Sequence, residues 1–261
     1  MKLTGRILHL VGVAVLATQL IPGLAGVIAN VVCIAAGLVP ATLASVVYRR
    51  PLTAIDPSGC FLWISIHHVL QLALTLLFMK VFTGKTLSAY GFNLHEWRLS
   101  LRIFGWLCLA SLAPIFFLDV FPYLRSGQPP HFGYPLTARN VSGVLGFGFL
   151  GSGTCEDPLF FGLVLGLLAR YWPGKLSMGR VSFPVAGLWP TLIFMMGHVH
   201  ISFVPFFVTA DFWQQVTALA FGLYYAAVVD RTGSLLCPVL SHGYWDGITE
   251  VALYLAAALM R

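Results

Sequence analysis

Charged residues are scarce in this chain of 261 residues. Asp, Glu, Lys and Arg together make up 9% of it, whereas hydrophobic residues make up 58%. A soluble domain of ordinary composition carries about 25% charged residues. The composition therefore excludes an ordinary soluble domain and predicts a polytopic membrane protein.

The cysteines lack any CxxC or other metal-type spacing. All five fall in apolar segments: Cys33, Cys60, Cys108, Cys155 and Cys237. Cysteines of this kind are typical of small buried hydrophobic residues, so no disulfide framework is predicted. The net charge of +6 does not indicate nucleic-acid binding, because the basic residues lie in short loops and at chain ends, where cations flank membrane spans.

Apolar segments long enough to cross a bilayer recur along the chain. About 20 apolar residues span the ~30 Å hydrocarbon core. The uncharged run at residues 7–48 predicts a hairpin of two crossings. Six further spans are predicted at residues 60–82, 103–123, 142–169, 184–207, 214–229 and 234–260. The sequence thus predicts an all-α membrane protein of about eight transmembrane helices, in which residues 1–261 form one membrane-embedded domain.

Two adjacent acids, Glu156 and Asp157, lie in the middle of the apolar span at residues 142–169. A carboxylate at the centre of a membrane helix costs roughly 2.5–3.5 kcal/mol, so neither acid is expected to be a packing residue. Candidate polar partners at similar depth lie in two later spans: His198, His200, His242 and Asp246. We therefore expect a catalytic cavity between the later helices, in a motif-bearing core at residues 142–260.

The spacing of these partners restricts which of them can act together. His242 and Asp246 are four residues apart, so on a helix they lie on one face, one turn apart. They can act on the same substrate atom. His198 and His200 are two residues apart and point to different sides of a helix, so at most one of them is expected to face the acids.

A further pair of histidines, His67 and His68, lies in the span at residues 60–82. Adjacent residues on a helix face different directions, so the two cannot act on one atom together. We predict hydrogen-bonding roles in the core for both histidines, and not a catalytic role.

The residue types of this cluster fit peptide hydrolysis inside a membrane. A glutamate in an apolar site can take a proton from water and return it to a leaving amine, with a histidine beside it. A second histidine with a polar neighbour can bind the oxyanion that forms when water adds to the carbonyl. A glutamate and two histidines could instead hold Zn²⁺ with one open position. Because no HExxH motif is present, zinc is not favoured and no cofactor is predicted.

Three segments carry a family resemblance: CEDPLFFGLVLGLL, FMMGH and TGSLLCPVLSHGYWD. In this order they resemble the motifs EExxxR, FxxxH and HxxxN or HxxxD of the CAAX protease and bacteriocin-processing (Abi/Rce-type) intramembrane endopeptidases. The resemblance covers residues 142–248. It implies that Glu156 activates water with His198, and that His242 and Asp246 stabilise the oxyanion, with Asp157 in support.

The same resemblance implies a substrate and a location. It indicates a glutamate-dependent, CAAX-type protease that needs no metal. Its substrate would be a membrane protein, or a lipid-anchored protein or peptide, cut near a terminus. The lipid bilayer is the expected surrounding and nucleic acid is not an expected partner. We expect a multi-pass protein of the bacterial inner membrane.

Two positions depart from the family motifs, and a third holds the less usual of the two family residues. Asp157 replaces the second Glu, and Phe161 stands where the family has Arg, so the expected acid–guanidinium pair cannot form. Either an Arg from elsewhere replaces it, or Glu156 and Asp157 share a proton. Asp246 stands where Asn is more usual, and a carboxyl group donates a hydrogen bond to an oxyanion only when it is protonated.

Two other functions stay open on the sequence alone. The loss of the Arg and Asn equivalents favours a catalytically inactive relative that acts as a membrane scaffold or regulatory protein. Buried Asp, Glu and His are also typical of a proton-coupled transporter. The sequence shows no paired halves with interrupted helices, which such transporters often have.

Overall fold

The computed structural model describes residues 31, 37, 39–48, 52–179, 181–203 and 206–260. Residues 39–47 are helical. The rest of the hairpin predicted at residues 7–48 lies almost entirely outside the described residues. The protein is mostly helical, with few strands.

Six helices of the described ranges are labelled here in chain order. They are α1 (Leu62–Phe82), α2 (Trp97–Ser126), α3 (residues 138–168), α4 (Leu188–Met196), α5 (Phe212–Thr232) and α6 (Leu236–Leu259). A helical turn at Leu52–Ile55 and 3₁₀ turns at Leu87–Tyr90 and Val185–Gly187 lie between them. α2 and α3 are continuous through π-helical segments at Phe116–Val120, Phe147–Gly151 and Pro158–Val164.

Proline accompanies two of the π-helical segments. Pro114 precedes the segment in α2 by two residues, and Pro158 opens the second segment in α3. Proline has no backbone N–H and removes one hydrogen bond of the helix. In α3 the π-helical segment begins directly after the acids Glu156 and Asp157.

The membrane span predicted at residues 184–207 is wrong. α4 has nine residues and is therefore about 13.5 Å long, less than half of the ~30 Å hydrocarbon core. After a turn at Gly197 and His198 the chain forms an antiparallel hairpin of β3 (His200–Phe203) and β4 (Phe206–Thr209). The β-branched residues of this stretch favour extended backbone: Val199, Ile201, Val208 and Thr209.

A second hairpin also departs from the all-α prediction. β1 (Lys175–Met178) pairs antiparallel with β2 (Val181–Pro184), between α3 and α4. Among the described residues, two helices are long and apolar enough to cross a membrane, at Leu62–Val81 and Trp97–Ser126. The predicted count of eight spans is not confirmed.

α3 is the central element of the hydrophobic core. From Leu159 to Leu168 nearly all of its side chains are buried. They pack against Met79 of α1, Phe194 of α4 and Tyr225 of α5. Because α3 enters this core directly after its two acids, the acids lie where the surrounding helices converge.

Glycines let α3 and α6 touch closely. A Cβ atom at Gly153 would lie 2.6 Å from the carbonyl oxygen of Val239, and one at Gly243 would overlap the carbonyl oxygen of Phe149. Small residues at helix contacts allow such backbone approach. This contact brings His242, the neighbour of Gly243, within reach of the acids on α3.

Asp56 holds the beginning of α1 from the preceding loop. Its buried carboxylate accepts hydrogen bonds from the backbone amides of Cys60, Phe61 and Leu62, at 3.1, 2.9 and 2.8 Å. Burial opposes the ionised form. The amides, together with the Cys60 thiol, outweigh it and hold the pKa of Asp56 below its ordinary value.

We expect Asp56→Asn to lower the free energy of unfolding by about 1–3 kcal/mol, because an amide offers one acceptor oxygen instead of two. The pKa of Asp56 is lower in the folded than in the unfolded protein. Its stabilising contribution is therefore present above the ordinary pKa of 3.8 and is lost as the pH falls through the lower, folded value.

Thermal unfolding in detergent between about pH 7 and pH 3 measures this effect. The difference in Tm between wild type and Asp56→Asn should narrow on acidification. Asp211→Asn is the control, because the exposed Asp211 caps α5 through one amide, that of Gln214. A Tm difference for Asp56→Asn that stays constant with pH would contradict the assignment.

Candidate active site

Glu156 and Asp157 end an α-helical segment of α3, Ser152–Asp157, at the edge of the hydrophobic core. Asp157 is completely buried, and the side chain of Glu156 is 24% exposed. Being adjacent on the helix, the two side chains point in different directions and take different partners. One partner comes from α1 and the other from α6.

Glu156 contacts His68 of α1. The distance from His68 Nε2 to Glu156 Oε1 is 3.0 Å, and His68 Nδ1 lies 2.8 Å from the carbonyl oxygen of Ile64. A carbonyl oxygen only accepts hydrogen bonds, so Nδ1 carries a proton. A second proton must then lie between Nε2 and Oε1. The pair is either an imidazolium with a carboxylate or an imidazole with a carboxyl group.

Asp157 contacts His242 of α6. The distance from His242 Nδ1 to Asp157 Oδ1 is 2.9 Å, and both side chains are buried. Among the residues that the structure describes, His242 and not an Arg contacts Asp157, and the proton shared between Glu156 and Asp157 stays a prediction. Phe161 at the family's Arg position is 1% exposed and packs edge to face against Tyr225.

The other nitrogen of His242 faces two further carboxylates. Nε2 lies 3.5 Å from Asp246 Oδ2 and 3.9 Å from Glu156 Oε2. Because Nδ1 donates to Asp157, the ring donates from Nε2 only when it is doubly protonated. The buried carboxylate of Asp157, 2.9 Å from Nδ1, pairs with the positive charge of that imidazolium. The geometry thus suits a ring that donates to an anion at Nε2.

His198 lies in the turn after α4. Its Nδ1 donates to the carbonyl oxygen of Phe194 at 2.9 Å, which leaves Nε2 for another partner. The Phe194 ring packs edge to face against both His198 and His242, with centroid distances of 5.0 and 5.5 Å. Within the described part of the chain, Glu156 has its histidine contacts with His68 and His242, and none with His198. His200 is the first residue of β3.

A cavity of about 750 Å³ opens beside this cluster, between α2, α5 and α6. Its polar lining includes His198, His242 and Asp246, and its apolar lining includes Phe117, Trp213 and Trp245. Cavities of about 300–1,000 Å³ are typical of sites that bind small molecules. The volume of this cavity beside the polar cluster lies within that range.

No metal site is evident among the residues that the structure describes. They contain no group of three or more His, Cys, Asp or Glu side chains placed to hold a metal ion. Glu156, Asp157, His68 and His242 are instead arranged in acid–histidine pairs.

The region that holds most of this cluster is similar to a known protein family. Residues 139–248 match the family described as type II CAAX prenyl endopeptidase Rce1-like. This region of the chain is similar to an Rce1-like domain. This confirms the resemblance carried by the three motifs. No curated protein and no solved structure matches the chain.

The Rce1-like family is a family of CAAX-type proteases embedded in membranes. A protease family of this kind implies membrane-associated proteins as substrates of its members. The positions Glu156, Asp157, His198, His242 and Asp246 all fall inside the matched residues. The structure brings Glu156, Asp157, His242 and Asp246 into one group and places His198 on the wall of the adjoining cavity.

His68 is the residue of this group that sequence reasoning missed. It lies outside the Rce1-like domain, and we predicted only a core hydrogen bond for it. The sequence contained one signal for this role: His68 lies in a separate apolar span and could supply a partner for one of the two buried acids. That signal could not separate His68 from His67, because the sequence does not define how α1 is rotated against α3.

Proposed function

We propose that this protein is a multi-pass endopeptidase of the bacterial inner membrane that cuts a membrane-associated or lipid-anchored protein near a terminus. The observation that carries the proposal is the position of Glu156 in the Rce1-like domain. Its two oxygens lie between two imidazoles, 3.0 Å from His68 Nε2 and 3.9 Å from His242 Nε2.

In the proposed reaction Glu156 is the general base. Its carboxylate takes a proton from water while the water oxygen adds to the carbonyl carbon of the peptide bond. The carbon–nitrogen bond then breaks, and Glu156 returns the proton to the leaving amine. His198, with Nδ1 held by Phe194, keeps Nε2 to bind the attacking water. No metal or other cofactor takes part in this scheme.

His242 and Asp246 form the oxyanion side of the proposed site. As an imidazolium, His242 donates from Nε2 to the developing oxyanion, and Asp157 holds the ring through Nδ1. Asp246, 3.5 Å from the same Nε2, donates to the oxyanion only in its protonated form. Both side chains line the cavity in which the substrate would lie.

The test is a comparison of protein tails in bacterial cells. Wild type, Glu156→Gln, His242→Ala and Glu250→Gln are expressed, and the termini of membrane proteins are compared by mass spectrometry. Glu250 is the matched control, an acid on α6 one turn beyond Asp246 and outside the proposed machinery. We expect wild type and Glu250→Gln to shorten at least one tail, and the other two variants to leave it intact. The same tail lengths with all four proteins would contradict a peptidase.

A second candidate function is that of a catalytically inactive relative serving as a membrane scaffold. The packing of Phe161 in the core, at the family's Arg position, favours it. The same comparison separates the two candidates. A scaffold predicts unchanged tails together with altered membrane complexes when His242 is replaced.

A further inference from the structure

We propose that His68 is a positioning residue for Glu156, which holds one carboxylate oxygen so that the other is left for water. The inference rests on the proposed function and extends the site to α1, outside the Rce1-like domain at residues 139–248.

Two contacts other than the one with Glu156 fix the orientation of the His68 ring. Its Nδ1 donates to the carbonyl oxygen of Ile64 one turn earlier in α1, at 2.8 Å. Phe147 of α3 packs against it edge to face, with ring centroids 4.9 Å apart, and the residue is 6% exposed. With Nδ1 bonded and the ring packed, Nε2 has one direction, toward Glu156 Oε1. A ring held in this way positions its partner at little further cost in side-chain entropy.

The contact with His68 also gives the two carboxylate oxygens of Glu156 different surroundings. Oε1 lies 3.0 Å from His68, whereas Oε2 lies on the side of His242, at 3.9 Å. A general base works when the accepting oxygen is held within hydrogen-bond reach of the water. A glutamate side chain has three rotatable bonds, and the bond to His68 selects one orientation of the carboxylate. Oε2 is thereby assigned to the reacting water.

His68 also accounts for the charge state that Glu156 needs. One proton lies between Nε2 and Oε1, since Nδ1 already carries its own. When this proton is on Nε2, Glu156 is a carboxylate paired with an imidazolium, which is the form that accepts a proton from water. A side chain without a donor at the Nε2 position would neither hold Oε1 nor balance this charge.

The experiment compares His68→Leu, His68→Gln and His67→Gln with wild type and Glu156→Gln. Glutamine suits the test because its amide nitrogen reaches about as far as Nε2 and donates to Oε1, whereas leucine cannot. His67 is the control, a histidine adjacent on α1 with a similar 8% exposure that stacks on Trp63. The probe is an internally quenched, farnesylated CAAX peptide, cleaved by the full chain in proteoliposomes.

We expect His68→Leu to lower kcat by about 10- to 100-fold with KM within about twofold, the size of one hydrogen bond to a charged group. His68→Gln should recover at least about threefold of that loss, and His67→Gln should keep kcat within about twofold. Wild-type kcat in His68→Leu, or equal losses in the Leu and Gln variants, would overturn the role of His68. Wild-type kcat in Glu156→Gln would overturn Glu156 as the proposed base and this inference with it.

Discussion

Replacing Glu156 by glutamine is expected to lower kcat for the farnesylated peptide by about 10³-fold. An amide has nearly the shape of the carboxylate, but its oxygen is too weak a base to take a proton from water. KM should stay within about twofold, because the cavity beside the cluster is lined by other residues. Steady-state kinetics in proteoliposomes measure both constants.

Two further variants test whether the lower kcat of Glu156→Gln comes from the loss of a base. Glu156→Asp keeps the carboxylate but withdraws it by one methylene from His68, so it should lose activity while keeping a measurable rate. Glu250→Gln removes an acid from α6 that contacts neither Glu156 nor Asp157, and it should be as active as wild type. Equal kcat in Glu156→Gln and wild type would exclude Glu156 as the base.

Replacing Asp157 by asparagine is expected to lower kcat by about 10²-fold or more. The buried carboxylate accepts from His242 Nδ1 at 2.9 Å and balances the imidazolium charge. An amide cannot balance that charge. Its NH₂ group would also favour a ring with the proton on Nε2 alone, which is a weaker donor to an oxyanion than an imidazolium.

Asp246→Asn is the matched control for Asp157→Asn. Both variants remove one carboxylate from the surroundings of the His242 ring, but Asp246 lies on the Nε2 side and is 38% exposed. Asparagine at position 246 also supplies an amide donor for the oxyanion. We expect Asp246→Asn to lose far less kcat than Asp157→Asn. The reverse order would contradict the assignment of Asp157 to the imidazolium.

Hydropathy predicted several helices closely and failed at one. The predicted spans at residues 60–82, 214–229 and 234–260 correspond to α1, α5 and α6 within a few residues. The wrong prediction at residues 184–207 has a physical reason. A continuous apolar run has no period that distinguishes a buried helix from a buried strand. The sequence of a nine-residue helix followed by a hairpin therefore had the hydropathy of a single membrane span.

The candidate site was predictable where it depended on spacing along one helix. The one-turn spacing of His242 and Asp246 placed them on one face of α6, and the structure has them 3.5 Å apart. The pairing of Asp157 with His242 and of Glu156 with His68 depends on how three helices are rotated and packed. Those contacts are set by glycines at the α3 and α6 interface and by the rings around α1, and no local pattern encodes them.

The bonds at the two acids also impose an order on biosynthesis. Glu156 and His68 are separated by 88 residues, and Asp157 and His242 by 85, so the group draws on the beginning, middle and end of the described chain. A ribosome delivers α1 and α3 to the bilayer well before α6. Until α6 is inserted, His242 and Asp246 are absent from the group. On the proposed mechanism, a nascent chain that still lacks α6 has no imidazolium to bind the oxyanion, and we expect it to be inactive.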